Sequence, residues 1–266
     1  MAPEPVDQDL AYEEAVLAAR SDPKLAGTIL ESFLDEDDLA ALARFRESEH
    51  WSRIVRLLGR QGVEPPARVM DFGGGRGLVA AALASEGYRV VLCEPNPSEV
   101  CGTGAAGRLR SAAGLEFEIA EGDVAKLAGS DFDAVVCRAV LHHVEPLVPV
   151  LSAVAAALRP GGSLICSDEP TIRHPGELDR LRQLHPFVQF GVEEAALTEA
   201  EYEQALREAG FVDVVIGFPV TWADYRRILR PKTPVVAALP LYCRYRLKSA
   251  LRPPPGEVRT IVAVSG

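Results

Sequence analysis

Asp71-Phe72-Gly73-Gly74-Gly75-Arg76-Gly77 sets one acid and four glycines within seven residues, between the apolar Val69-Met70 and the helix-forming run Leu78 to Ala84. Glycine tolerates positive φ and has no Cβ, so such a strand-to-helix turn lets a ligand approach backbone N–H groups closely. Glu94 follows about 20 residues after the turn, the place where an acid at the tip of a second strand accepts both ribose hydroxyls of an adenosine. His142 and His143 close another apolar run. An imidazole titrates near neutral pH and is suited to taking a hydroxyl proton, which makes His143 the first candidate base and His142 the second. His174 and His185 rank below them. The dinucleotide fingerprint G-x-G-x-x-G would need glycine at 78, where Leu78 stands, so the spacing disfavours an NAD(P) oxidoreductase. No H-x-x-H or carboxylate cluster at ligand spacing is present, and two adjacent histidines are not expected to face one ion, so no metal is assigned.

These groups need a scaffold that brings strand tips together, and the composition is consistent with one. The chain has 266 residues, 48% hydrophobic, enough for one α/β domain with appended elements. Its net charge of -10 argues against general nucleic-acid binding. Cysteines 93, 101, 137, 166 and 243 show no C-x-x-C spacing and read as small buried hydrophobes of a reducing compartment. The acidic start Met1-Ala2-Pro3-Glu4-Pro5 does not read as a signal peptide, and no apolar run reaches the roughly 18 residues of a membrane span. The expectation is a soluble, cytoplasmic protein. Its oligomeric state is not legible.

Residues 1–62 read as helical, with Leu39, Leu42, Trp51, Ile54, Val55 and Leu58 at helical spacing. The segment suits a packing layer or a lid that brings Tyr12, Arg46, His50 or Arg53 to the site. After Pro65-Pro66 the pattern predicts strands over 67–72, 88–93, 115–119, 131–138, 163–168, 211–218 and 258–264. It predicts a helix over 77–86 and another opened by Pro146. Thr198 with Glu201 reads as a capping box. Asn96-Pro97-Ser98-Glu99 reads as a helix start, Asn96 capping, with a short or irregular helix because Gly102, Gly104 and Gly107 follow. Glu169-Pro170 lies at the tip of the fifth strand, where the acid would hold an acceptor group or cap the next loop.

Taken together, D-x-G-x-G-x-G at Asp71 to Gly77, D-F-D-A-V-V-C-R-A-V-L-H-H-V from Asp131 to Val144 and L-R-P-G-G-S-L-I from Leu158 to Ile165 resemble the linked motifs of class I S-adenosylmethionine (SAM)-dependent methyltransferases of the small-molecule type. The resemblance covers about 67–170. It implies a Rossmann-like, doubly wound α/β fold whose seven-stranded sheet has the order 3-2-1-4-5-7-6, the last strand antiparallel. It implies SAM as cofactor, held by Asp71, Gly73, Gly75, Gly77 and Glu94, with Asp123 beside the adenine amino group and Val124 next to it, and with Arg138 either touching the cofactor through its backbone or only pairing with a nearby acid. His143 matches a histidine that several members carry after the fourth strand. The division expected is a helical lid at 1–62, a SAM-binding core at 63–218 plus 257–266, and a substrate cover at 219–256.

The acceptor is not written in these motifs. An O-methyltransferase acting on a sugar-like or natural-product hydroxyl is favoured, with N- or C-methylation and a catalytically silent SAM-binding partner protein as the other readings. Residues 219–256 carry eight Lys or Arg against the single acid Asp224, interleaved with Trp222, Tyr225, Tyr242 and Tyr245. Two readings stay open. The cations pair with the acidic N-terminal helices, or they hold an anionic, phosphate-bearing acceptor, with weak contact to an anionic membrane surface following from the same residues.

Overall fold

The computed structural model of the protein describes residues 7–217 and 257–266. The basic segment at 219–256 lies outside the described residues. Four helices come first: α1 (Gln8–Ser21), α2 (Ala26–Glu31), α3 (Asp38–Glu47) and α4 (Glu49–Arg60). The alternating core follows as β1 (Arg68–Phe72), α5 (Leu78–Ser85), β2 (Arg89–Glu94), α6 (Thr103–Ala113), β3 (Glu118–Glu121), β4 (Phe132–Arg138), α7 (Leu147–Ala157) and β5 (Leu158–Thr171). Then come α8 (Leu178–Leu184), α9 (Glu199–Glu208), β6 (Phe211–Gly217) and β7 (Glu257–Ser265). The sheet order is β3-β2-β1-β4-β5-β7-β6, as expected. β1 to β5 run parallel, and β7 is antiparallel to both β5 and β6. No helix among the described residues is long and apolar enough to cross a membrane.

Burial on both faces explains the continuous apolar runs of β1, β2 and β4. One face packs Phe45, Trp51, Ile54 and Leu58 of α3 and α4, together with α5 and α6, over Val69, Val90, Val136 and Ile165. The other packs Leu151 and Val154 of α7 and Tyr202 and Leu206 of α9 over Met70, Val91, Val135 and Leu164. Phe45, Ile54 and Leu58 are fully buried, a gain of about 1.5–3 kcal/mol for each such side chain relative to exposure. The N-terminal segment therefore divides. α3 and α4 belong to the core layer, whereas Ala11, Ala15, Val16 and Ala19 of α1 pack with Ile29, Leu34, Phe187 and Val192 in a separate cluster. Gln8 ties α1 to that neighbour, donating to the Gly191 carbonyl and accepting from the Glu193 N–H.

Three element boundaries differ from the sequence reading. Asn96 does not start a helix. Its Oδ1 accepts from Ser98 N at 2.8 Å in a local turn, and the helix begins at Thr103. Short side-chain-to-backbone bonds of this kind compete with helix formation. The helix that follows is neither short nor irregular, running eleven residues through Gly104 and Gly107 with Ala105, Ala106 and Leu109 buried. β3 starts at Glu118 rather than 115, because Gly114 (φ 62°) and Leu115, whose N–H bonds the Arg110 carbonyl, are used in ending α6. β5 continues to Thr171 and so carries Asp168 and Glu169 within the strand.

Candidate active site

In a parallel sheet the ligand crevice lies outside the carboxyl ends of the strands, and the chemistry-bearing residues collect there. Gly73, Gly75 and Gly77 all take positive φ, at 64°, 52° and 79°. A Cβ on Gly73 would strike Val140, and one on Gly75 would stand 3.0 Å from the Cys101 carbonyl, so the turn is closely flanked by the loops after β4 and β2. Glu94 holds the turn from the tip of β2. One carboxylate oxygen accepts from Gly75 N at 2.8 Å and the other from Asn96 N at 2.9 Å. Burial pushes its carboxyl above the usual range, and the two backbone donors oppose that shift.

Asp71 sits beneath the turn. Its carboxylate is fully buried, with Oδ2 accepting from Ala80 N at 2.9 Å in the first turn of α5 and Oδ1 without a hydrogen-bond partner. Burial pushes it up to about 7, with the Glu94 charge adding and the Ala80 N–H opposing. Its link to a ligand therefore runs through the loop it shapes. Arg76 extends that loop to the N-terminal segment, donating to the Phe33 and Asp35 carbonyls and pairing with Asp38. Asp123 is exposed at the tip of β3, capping the 3-10 turn Val124–Leu127 through Ala125 N, with Val124 buried beside it. Tyr12, on α1, stands within electrostatic reach of these groups. Burial holds its hydroxyl well above the usual value, with the charges of Cys101, Glu194 and Glu94 adding and that of Arg138 opposing.

The second half of the crevice is built on β4 and β5. Leu141–His143 form a 3-10 turn after β4. Glu169, fully buried, clamps it: Oε1 accepts from Val140 N at 2.8 Å and Leu141 N at 3.1 Å, and Oε2 lies 3.0 Å from His142 Nδ1. Both carboxylate oxygens of this acid are engaged by the loop before it, not by the loop after it. His142 Nε2 lies 3.7 Å from an oxygen of Glu194, and the other oxygen of Glu194 lies 3.3 Å from His185 Nδ1. The His142 and His143 rings stand 3.9 Å apart, tilted by 43°. His143 is the exposed member of the pair. Desolvation in the crevice, with His142 and His185, pulls its pKa down to about 3 against a backbone contact at Glu193, so the ring is unprotonated at neutral pH but a weaker base than the near-neutral imidazole expected from the sequence.

Asp168, next to Glu169 and in the left-handed region (φ 61°), anchors a third group. It meets His50 Nδ1 at 2.7 Å, Arg53 at 2.5 Å and Arg138 Nε at 3.0 Å. His50 and Arg53 thus reach the strand tips as one reading of the helical segment expects, whereas Arg46 pairs with Glu86 elsewhere. The Arg138 guanidinium is engaged by Asp168 and lies over the Phe33 ring, leaving its backbone to border the crevice.

The sequence reading did not find Asp168 or Glu194. Asp168 is adjacent to an acid that drew attention, but Glu194 sits in a segment without periodicity, 51 positions beyond His143. His142 and His143, not expected to face one ion, are brought by the tight turn to rings 3.9 Å apart and tilted by 43°, and His142, His143 and Glu194 each offer a ligand atom within 4.8 Å of the others.

The methyltransferase domain family matches residues 42–215, most of the chain. The protein belongs to this family. A ubiquinone biosynthesis O-methyltransferase of Xanthomonas campestris pv. campestris is 34% identical over 104 residues, 39% of this chain and 43% of that protein. A tRNA 5-carboxymethoxyuridine methyltransferase of Escherichia coli is 30% identical over 123 residues, 46% of this chain and 47% of that one. The methyltransferase chain thus spans less than half the length of these curated relatives. Among solved structures, the magnesium protoporphyrin IX methyltransferase of Synechocystis PCC 6803, with bound SAH, shares the fold at a TM-score of 0.52 and 23% identity, each chain covered to 81%.

Proposed function

We propose that this methyltransferase moves the methyl group of SAM to a hydroxyl of a small, sugar-like or natural-product acceptor. The observation that carries the reading is the pairing, in one crevice, of a buried carboxylate fixed beside a glycine turn with an exposed, unprotonated imidazole at the next strand tip. The donor set fits the cofactor. Glu94 spends one lone pair of each oxygen on a backbone N–H and keeps others for a ribose diol. Asp123 is an exposed acceptor for an adenine amino group, and Val124 adds an apolar neighbour for the ring. Gly73, Gly75 and Gly77 keep the backbone bare where the methionine part passes, Asp71 holds that turn to α5, and Arg138 borders it through its backbone.

When bound, SAM supplies a methyl group already activated by a sulfonium leaving group. What remains for the protein is positioning, exclusion of water and custody of one proton. His143 takes the acceptor's hydroxyl proton on an unprotonated ring nitrogen as the oxygen is methylated. His142, held by Glu169, orients the turn that carries His143. α1, packed against Phe187 and Val192, carries Tyr12 within electrostatic reach of Glu94, Arg138 and Glu194.

The experiment is a calorimetric titration of SAM into wild type, Glu94→Ala and Glu94→Gln. Glu94→Ala is expected to lose about 1–3 kcal/mol of SAM binding, the range for hydrogen bonds to a charged group. Because the alanine also strips Gly75 N and Asn96 N of their acceptors, and the one carbonyl oxygen of Glu94→Gln can serve only one of them, thermal melts of both variants without ligand separate loss of the turn from loss of the ribose contact. Glu94→Gln should be the more stable of the two and still bind SAM more weakly than wild type. Wild-type affinity in both variants would remove Glu94 from the cofactor site.

A further inference from the structure

We propose that His142, His143 and Glu194 form a binding site for a divalent transition-metal ion such as zinc, on the acceptor side of the crevice. Their ligand atoms all lie within 4.8 Å of one another. Ligands about 2.0–2.2 Å from one tetrahedral ion stand roughly 3.4 Å apart, so a contraction of at most about 1.4 Å in the widest pair would close the set. The His142 Nε2 to Glu194 separation of 3.7 Å is already near that spacing, and it is too long for a hydrogen bond.

The surroundings are those of a metal ligand set. His142 uses Nδ1 on the carboxylate of Glu169, and Glu169 is itself fixed by the N–H groups of Val140 and Leu141. A carboxylate on the far nitrogen of an imidazole is the arrangement that fixes the ring and its tautomer for metal binding through the other nitrogen. Glu194 is only 4% exposed, and its carboxylate faces the imidazoles of His142 and His185. Burying a carboxylate is costly unless a cation or hydrogen bonds compensate it, and an ion shared with His142 and His143 would do so. Two imidazoles and one carboxylate suit zinc or a similar first-row ion rather than magnesium, which prefers all-oxygen sites. Three protein ligands leave a coordination position open, the pattern of catalytic rather than structural sites.

This inference rests on the proposed function in one respect, that the acceptor hydroxyl is brought to the same place. An acceptor oxygen in the open position would have its O–H acidity raised by the ion. The proton would pass to a water with the electron pair left on oxygen, and as that oxygen bonds the methyl carbon the carbon–sulfur bond would break, its pair returning to sulfur as S-adenosylhomocysteine leaves. Proton and ion are alternatives for the same lone pair of His143. In the metal-free protein that residue is the base, and in the loaded protein it is a ligand.

Cobalt(II) titrated into chelator-treated, desalted protein, without cofactor or acceptor, tests the site directly. Wild type is expected to take up one equivalent saturably, with the visible d–d absorption of four- or five-coordinate cobalt, and zinc should displace it. His142→Ala and Glu194→Gln should each weaken binding by more than about tenfold, and Glu169→Gln by roughly 10–100-fold. His174→Ala, at an exposed histidine outside the cluster, should bind as wild type does. Competition against a chromophoric chelator on wild type alone guards against variants that fail to fold. A signal that does not saturate, or one that survives intact in folded His142→Ala and Glu194→Gln, would overturn the proposal. SAM affinity, measured separately, reports on the methyltransferase reading whatever the cobalt result.

Discussion

Replacing His143 with alanine is expected to lower methyl transfer by roughly 10²–10⁴, the usual range for a positioned proton acceptor, with little change in SAM affinity. The separation follows from the fold. The groups proposed to hold SAM stand on the tips of β1, β2 and β3, whereas His143 stands after β4 and is exposed. Truncating it removes no group that holds the glycine turn or Glu94. The measurement is single-turnover transfer of labelled methyl to the first acceptor identified, paired with a calorimetric SAM affinity. In the kinetic constants the loss should fall on kcat rather than on the cofactor Kd. A fully active His143→Ala enzyme would discard this residue and turn attention to His142, or to an acceptor that ionises unaided.

Asp168→Ala is expected to cost about 3–5 kcal/mol of folding stability, the penalty for stripping one partner from a buried charged cluster. Asp168 is 7% exposed and lies against His50, Arg53 and Arg138, so its removal leaves two guanidinium groups and an imidazole facing one another. Because His50 and Arg53 belong to α4, the loss should also loosen that helix from the strand tips. Burial alone would raise the Asp168 carboxyl, but His50, Arg138 and Arg53 outweigh it and hold it well below the usual carboxylate range. A depressed folded pKa gives stability that is fully present above the unfolded value of 3.8 and is lost as pH falls towards the folded one. Wild type should therefore lose stability below about pH 4, and Asp168→Asn should flatten that part of the profile. Denaturant midpoints at neutral and acid pH check both statements. A neutral-pH stability of Asp168→Ala within about 1 kcal/mol of wild type, the level of an exposed pair, would contradict the account.

Much of the scaffold was legible because local chemistry and global fold agree over the motif strands. A glycine turn after an apolar run, an acid at the next strand tip and a Thr198-Glu201 capping box each have a local mechanism, and each stands where that mechanism puts it. The misread stretch at Asn96 had a local mechanism too, but a competing one. Its amide closes a turn onto Ser98 N while Glu94 takes the Asn96 N–H, so a residue that resembles a helix cap serves the cofactor-side turn instead. The acceptor side was less legible because its partners are set by tertiary contact. Nothing near His142 in sequence announces Glu194, and nothing in the pair His142-His143 reveals that a 3-10 turn clamped by Glu169 brings the two rings to 3.9 Å. Glu169 itself was noticed as a strand-tip acid, but the direction of its side chain depends on the positive-φ residue before it.

The crevice at the tips of β1, β2 and β4 suits SAM and not a dinucleotide, because Leu78 stands where the dinucleotide turn needs glycine. The most direct measurement is calorimetric titration of the wild-type protein with S-adenosylhomocysteine and, separately, with NADH. The account predicts saturable one-to-one binding of S-adenosylhomocysteine and no heat of binding with NADH. Saturable NADH binding, with none for S-adenosylhomocysteine, would contradict it.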